Sequence, residues 1–353
     1  MKILITTDCY VPMINGVVTS ILNLETQLRK RGHEVKILCP SQCLRGENQE
    51  DIIRIGSIGI GKHCNGARAA VCFRKSRLQK LISWKPDIIH CNDWQTAMVP
   101  VFYRVLYQYH QEFENIRIIY TIHNIQYQGQ FGLDVAGDVC GLPDWAIGKV
   151  EFHGDLNMMK GALEECERIS TVSPTYAKEI LDPYFGHGLD EILRQKEWKL
   201  CGILNGIDTV GYNPSRDHAL AANFSARKPE GKALCKAALQ QSLGLTVDPS
   251  VPIIGMVGRL SSQKGLDLVD HVIGQIMEEN VQLVVLGMEN MLRMGMQVVI
   301  LGNGEQQYED FFHEMQRRHP RQVAFTCGFM PTLSRQIYAG ADFFLMPSQS
   351  EPC

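Results

Sequence analysis

Between residues 255 and 267 the chain reads Gly-Met-Val-Gly-Arg-Leu-Ser-Ser-Gln-Lys-Gly-Leu-Asp. An apolar run ends, a polar loop follows, and Arg259 and Lys264 flank the start of a helix. Free backbone N–H groups and the positive end of a helix favour an anion there. A guanidinium adds two-pronged contacts and an ammonium adds a point charge. Such a pair suits a leaving diphosphate, on which negative charge builds as a glycosidic bond breaks. The same two residues also fit a plain solvated surface. His123, close behind an apolar run, reads by itself as a hydrogen-bonded polar residue. Asp93, just before Trp94, reads as the cap of a helix running towards Arg104. Gly302-Asn303-Gly304 opens like a dinucleotide fingerprint, but Gln307 stands at the third glycine position, so a turn is expected.

The elements that must hold these residues are short apolar runs alternating with amphipathic stretches, the pattern of βα units and a parallel sheet. Strands are expected at Lys2–Thr6, 35–39, 87–90, 116–121 and 169–172, and in a second series at 253–257, 323–326 and 343–346. Residues 19–31 predict a helix closed by Gly32 in a left-handed cap, and Ser173-Pro174 predicts a capped helix start. A further helix is expected over 265–278. Residues 194–205 are the expected linker between an N-terminal domain, 1–200, and a C-terminal domain, 201–353. The run 281–287, Val-Gln-Leu-Val-Val-Leu-Gly, nearly recurs at 296–302 as Met-Gln-Val-Val-Ile-Leu-Gly. The stretch between the copies is short for a parallel crossover, so one copy is expected to be surplus.

Bulk properties narrow the partners. A chain of 353 residues suits two domains, and its net charge of −3 gives no reason to expect nucleic acid. The 12 cysteines are scattered without a Cys-x-x-Cys pair, which predicts reduced thiols in a cytoplasmic protein. No window reaches the roughly 18 apolar residues of a membrane span. The segment 68–84 does place Arg68, Arg74, Lys75, Arg77 and Lys80 among apolar residues, and a basic amphipathic helix there would suit an anionic bilayer. Its alternative is a solvated helix face.

Several ordered stretches point to one family. They are Pro86-Asp87-Ile88-Ile89-His90-Cys91-Asn92-Asp93-Trp94-Gln95, Tyr120-Thr121-Ile122-His123-Asn124-Ile125-Gln126-Tyr127-Gln128-Gly129 and Asn157-Met158-Met159-Lys160-Gly161. Thr171-Val172-Ser173-Pro174-Thr175-Tyr176, Gly202-Ile203-Leu204-Asn205-Gly206-Ile207-Asp208 and the loop from Arg259 to Lys264 follow, and Pro347-Ser348-Gln349-Ser350-Glu351-Pro352-Cys353 ends the series. From about Lys85 onwards the chain resembles bacterial glycogen synthases and plant starch synthases. The resemblance implies an α/β glycosyltransferase-B fold: two Rossmann-like domains with a cleft between them, acceptor side first and nucleotide-sugar donor side second. It implies that Arg259 and Lys264 hold the donor diphosphate and that His123 and Asp93 line the glucose pocket. It further implies that Asn205 lies near the sugar and that Glu351 is the first glutamate of a Glu-x7-Glu pair bearing on catalysis. Retention of anomeric configuration without metal or cofactor is also implied, and the chain has no Asp-x-Asp motif to hold a metal.

The opening differs. Met13 stands where the family has the lysine of a Lys-x-Gly-Gly-Leu loop, Asn15 replaces its first glycine, and only Gly16 carries over as a donor-site residue. Asn15-Gly16-Val17-Val18-Thr19-Ser20, together with Trp84-Lys85-Pro86-Asp87, instead resembles bacterial diacylglycerol glucosyltransferases, as though two relatives joined near residue 85. The second glutamate and the closing helices of the family are not in this sequence, so an incomplete donor domain with weak activity is expected. The leading expectation is transfer of glucose from ADP-glucose or UDP-glucose to an α-glucan. Its alternatives are a lipid glucosyltransferase at a membrane surface, an inactive module that binds nucleotide-sugar or glucan, and, distantly, a nucleotide-sugar epimerase.

Overall fold

Strand β1, Lys2–Thr6, buries Ile3 and Ile5 in one apolar cluster and Leu4 in another. That split is the signature of a strand covered on both faces, where every position is apolar instead of every second one. The computed structural model describes residues 1–13, 15–41, 50–59, 68–70, 81, 83–287, 306–328 and 330–353. Further strands are β2 (Glu34–Pro40), β3 (Ile52–Ile55), β4 (Ser57–Gly59), β5 (Arg68–Ala70), β6 (Ile88–Asn92), β7 (Arg117–Ile122), β8 (Gln130–Gly132), β9 (Glu151–Phe152), β10 (Asp155–Asn157), β11 (Arg168–Thr171) and β12 (Leu200–Gly202). Later come β13 (Ile253–Gly258), β14 (Gln282–Gly287), β15 (Val323–Cys327) and β16 (Phe343–Phe344).

The described residues within Met1–Ile60, Arg68–Gly206 and Pro352–Cys353 form one unit, and those within Ile207–Glu351 form a second. The first is built on a seven-stranded sheet in the order β12-β11-β7-β6-β1-β2-β3. All its pairings are parallel, as in a Rossmann-like sheet. The β1–β2 connection is the helix Gly16–Lys30, which begins three residues before the expected start at 19 because the Asn15 side chain accepts from Val18 N at 2.8 Å. Gly32 takes the left-handed conformation (φ +81°) that the sequence predicts. Ser173 caps its helix through Tyr176 N at 2.9 Å, with Pro174 in the first turn.

Two expectations are corrected in this unit. The stretch 194–205 is not a linker: it holds β12, which pairs with β11 from Ile169↔Leu200 to Thr171↔Gly202. Arg68 starts no helix, since β5 pairs antiparallel with β4. Of the other basic residues in that proposed helix, Arg74, Lys75, Arg77 and Lys80 lie outside the described residues. Its far end turns towards protein: Leu81 is buried, Trp84 Nε1 donates to Glu34 Oε2 at 3.2 Å, and Lys36 Nζ sits 5.4 Å from the Trp84 ring. Among the described residues no helix is long and apolar enough to cross a membrane.

The second unit carries a four-stranded parallel sheet in the order β15-β14-β13-β16. Leu283 and Val285 of β14 enter a cluster with the helices Leu266–Glu278 and Gln306–Arg318, while Val284 and Leu286 enter the opposite cluster with Ile337 and Leu239. Both edges of β14 are occupied, by β13 and β15. The copy at 281–287 supplies the strand, and 296–302 lies outside the described residues, as does the turn at 302–304.

Candidate functional site

Parallel strands deliver their following loops to one edge of a sheet, and each unit gathers candidate residues at such an edge. In the first unit the edge is formed by the ends of β1, β6 and β7. Asp93, directly after β6, has φ 55° and ψ −177°. A residue with a Cβ seldom adopts that region, at a cost of about 1–3 kcal/mol, and such residues cluster at functional sites. Asp93 N donates to Thr121 O at 3.0 Å. Its Oδ1 accepts from His123 N at 2.8 Å and from Asn124 N at 3.4 Å. It makes no side-chain cap on the short 3-10 turn Trp94–Thr96, so the helix-cap expectation is corrected: the strained backbone turns the carboxylate to the end of β7.

His123 Nε2 lies 3.0 Å from Asn92 Oδ1, and Asn92 Nδ2 donates to Thr6 O at 3.1 Å. Because the Asn92 amide spends its donor on Thr6, its oxygen faces the ring. His123 is then protonated on Nε2 and presents Nδ1 as an acceptor. Burial holds His123 down to about 4 and, with His123 as a like-charged neighbour, holds His90 down to about 4. His90 Nε2 is satisfied by Thr121 Oγ1 at 2.6 Å. Burial pushes Asp93 up to about 7, against the two backbone N–H groups that favour its anion. Burial also pushes Asp8 up to about 6, and the nearby Asp93 charge adds to that rise. Sequence reasoning passed over Asp8 and Asn92. Their signal was position alone: each is polar and sits at or just past the end of an apolar strand.

Gly16 and Asn205 belong to the same unit. Gly16 opens the helix Gly16–Lys30, and nothing lies within 4 Å of where its Cβ would be. One turn on, Ser20 Oγ donates to Asn205 Oδ1 at 2.7 Å, and Asn23 Nδ2 donates to Gly206 O at 3.1 Å. Asn205 is thus tethered to that helix, at some remove from Gly16 itself.

In the second unit, β13 and β16 pair in parallel, so their following loops leave the same sheet edge. The first contains Arg259, then a 3-10 turn Ser262–Lys264, then Gly265 and the helix Leu266–Glu278. The second runs from Leu345 to Glu351. Lys264 Nζ and Glu351 Oε1 meet at 2.5 Å. Ser348 Oγ donates to the same carboxylate oxygen at 2.6 Å. Ser261 Oγ is buried and has no hydrogen-bond partner among the described residues. The structure therefore joins Asp93 with His123 and Lys264 with Glu351, two pairs far apart in sequence.

Comparison with known proteins bears on the family and the fold. Residues 61–195 match the starch synthase catalytic domain, and residues 244–353 match the glycosyl transferases group 1 family. A glycogen synthase of Alkaliphilus metalliredigens is 45% identical over 297 residues, which are 83% of this chain and 59% of that protein. One from Clostridium perfringens is 43% identical, over 83% of this chain and 58% of its own length. The chain thus spans little more than half the length of these relatives. The catalytic domain of starch synthase IV from Arabidopsis thaliana, bound to ADP and acarbose, superposes with a TM-score of 0.79 at 28% identity, covering 100% of this chain and 79% of that one. The resemblance of the opening to diacylglycerol glucosyltransferases is not borne out, and the starch synthase match begins at residue 61, upstream of the supposed join near 85. With two Rossmann-like α/β units on the glycosyltransferase-B plan, the chain is a relative of the glycogen and starch synthases.

Proposed function

We propose that this chain is a retaining glucosyltransferase that moves glucose from ADP-glucose, or UDP-glucose, to the non-reducing end of an α-1,4-glucan in the cytoplasm. The observation that carries the reading is the meeting of Lys264 and Glu351 on two loops at one sheet edge. These are the residues that the family resemblance assigns to diphosphate and sugar. The ADP in the Arabidopsis starch synthase structure favours an adenine donor. In this reading the first unit, which runs to Gly206, serves the acceptor side and the second, within Ile207–Glu351, the donor side.

Arg259 and Lys264 neutralise the diphosphate as the glycosidic bond breaks, a task that grows with the charge of the leaving group. The helix Leu266–Glu278 adds its positive end. Glu351 faces the transferred glucose. In the first unit, neutral His123 offers Nδ1 to a sugar hydroxyl, and Asp93 offers a carboxylate held by two backbone N–H groups. No metal is needed where two cations already oppose the diphosphate, so activity is expected to survive excess chelator.

The test is a donor panel of ADP-glucose and UDP-glucose against glycogen, maltooligosaccharide and diacylglycerol. Glycogen-dependent release of ADP is the expected result. Tight ADP-glucose binding without turnover on any acceptor would mark a binding module instead, and transfer to diacylglycerol alone would mark a lipid enzyme.

A further inference from the structure

The two loops at the β13/β16 edge touch at more points than the ion pair. Gln349 N donates to Gln263 O at 3.0 Å, and Gln263 Nε2 reaches Ser350 O at 3.4 Å. Gly265 stands in the left-handed region (φ +67°), and a Cβ there would lie 2.1 Å from Pro347 O and 2.8 Å from Pro347 C. Backbone cannot yield as a flexible side chain does. Only glycine therefore lets the Pro347 carbonyl pack against the turn that carries Lys264. Ser348, the next residue, then lies where its hydroxyl reaches Glu351 Oε1. The Lys264 and Glu351 side chains keep 19% and 31% of their exposure, so the pair is held partly out of water, where its attraction is stronger.

We propose that Gly265, Gln263 and Ser348 form a clasp that fixes the Glu351 carboxylate against the Lys264 ammonium, making Ser348 a positioning residue for Glu351. This rests on the reading above, in which Glu351 acts on the sugar and Lys264 on the diphosphate. The clasp makes those two groups one unit. Glu351 Oε1 is occupied by Lys264 and Ser348, which orients Oε2 as the oxygen available to the sugar. Without the Ser348 hydroxyl the carboxylate can rotate about its last bond, and small losses of alignment in a reacting group lower turnover strongly.

The experiment combines Ser348→Ala, Ser348→Thr, Gly265→Ala and Glu351→Gln, reading glucosyl transfer, ADP binding by calorimetry and amide hydrogen exchange. Ser348→Ala is expected to lower kcat about tenfold, the effect of one lost charge-assisted hydrogen bond, with donor KM and ADP affinity unchanged. Ser348→Thr, which keeps the hydroxyl, is expected to restore it. Added to Glu351→Gln, Ser348→Ala is expected to do nothing more. Gly265→Ala is expected to speed exchange at the Gln349 amide, a readout independent of activity. An unchanged Gln349 amide would overturn the clasp. A further loss of kcat when Ser348→Ala is added to an already impaired Glu351→Gln enzyme would overturn the positioning role alone. Full turnover by Glu351→Gln would overturn the positioning role and the catalytic reading of Glu351 together.

Discussion

The two candidate regions solve the placing of charge in opposite ways. At the β1/β6/β7 edge of the first unit the ionisable groups are half-buried among hydrogen-bonding partners, and loss of solvation drives each towards its neutral form: Asp8 and Asp93 rise, His90 and His123 fall. At the β13/β16 edge of the second unit two oppositely charged side chains pair directly, Lys264 against Glu351. The first arrangement suits the recognition of a neutral, hydroxyl-rich ring by directed hydrogen bonds. The second suits a ligand that brings negative charge of its own.

The largest expected effect falls on the charged region. Under the proposed function, Arg259→Ala and Lys264→Ala each remove a cation from the leaving group, and loss of one such donor costs about 3–4 kcal/mol, or roughly a hundredfold to a thousandfold in rate. The charge develops during reaction, so kcat is expected to fall more than donor affinity. Steady-state kinetics on both variants checks this, and unchanged turnover in both would leave the second region without a catalytic role. Asp93→Asn in the neutral region is expected to act differently, because it keeps an acceptor oxygen for His123 N.

The neutral region makes a distinct prediction about pH. Asp8 and Asp93 have folded pKa values raised from 3.8 to about 6 and about 7, so between pH 4 and 6 the folded chain holds two protons that the unfolded chain has released. Alone, that makes stability fall as pH rises through this window. His90 and His123 are lowered from 6.5 to about 4, so in the same window the unfolded chain holds two protons that the folded chain lacks, and stability rises with pH. The contributions oppose and nearly cancel. Asp93→Asn removes one falling contribution, and the variant is expected to gain stability by about 1 kcal/mol per pH unit between pH 4.5 and 6. Urea denaturation at several pH values reads the slope, and parallel pH profiles for parent and variant would refute the balance.

Much of the scaffold was legible because central strands such as β1 and β14 are covered on both faces and so are written as near-continuous apolar runs. β1 falls at Lys2–Thr6 as expected, and β13 and β15 each lie within a residue of expectation. β12 was missed because Leu-Cys-Gly is too short and too weakly apolar to signal a strand, and its identity comes from pairing with β11. Phe343–Phe344 is shorter than the expected 343–346 because only those two residues pair with β13. The sites were legible as residues but not as geometry. Nothing in Asn-Asp-Trp announces that Asp93 takes a positive φ and turns its carboxylate to β7. Lys264 and Glu351 are separated by 87 residues and meet only because β13 and β16 are neighbours.

The smallest expected effect tests whether the second region's platform depends on which copy of the near-repeat forms its central strand. The β14 slot asks for a buried glutamine, four apolar residues and a terminal glycine. Gln282 is bonded to Gln240 Nε2 at 2.9 Å and to Thr246 O at 2.7 Å, and a Cβ on Gly287 would lie 2.8 Å from Leu260 Cδ1. The copy at 296–302 offers the same series, with Gln297 first and Gly302 last. Leu283 and Val285 correspond there to Val298 and Ile300, so one methylene is lost and one gained on the same face. Such exchanges typically cost about 1 kcal/mol or less when volume is conserved. Deleting 288–302 keeps the first copy and joins Gly287 to Asn303; deleting 281–295 keeps the second. Either shortened chain has one strand candidate and a connection of ordinary length before the helix Gln306–Arg318. The two deletion variants are expected to unfold within about 1 kcal/mol of each other in urea and to bind ADP alike. Loss of folding in only the second variant would show that the slot reads finer detail than volume and the buried glutamine, and that the copies are not equivalent.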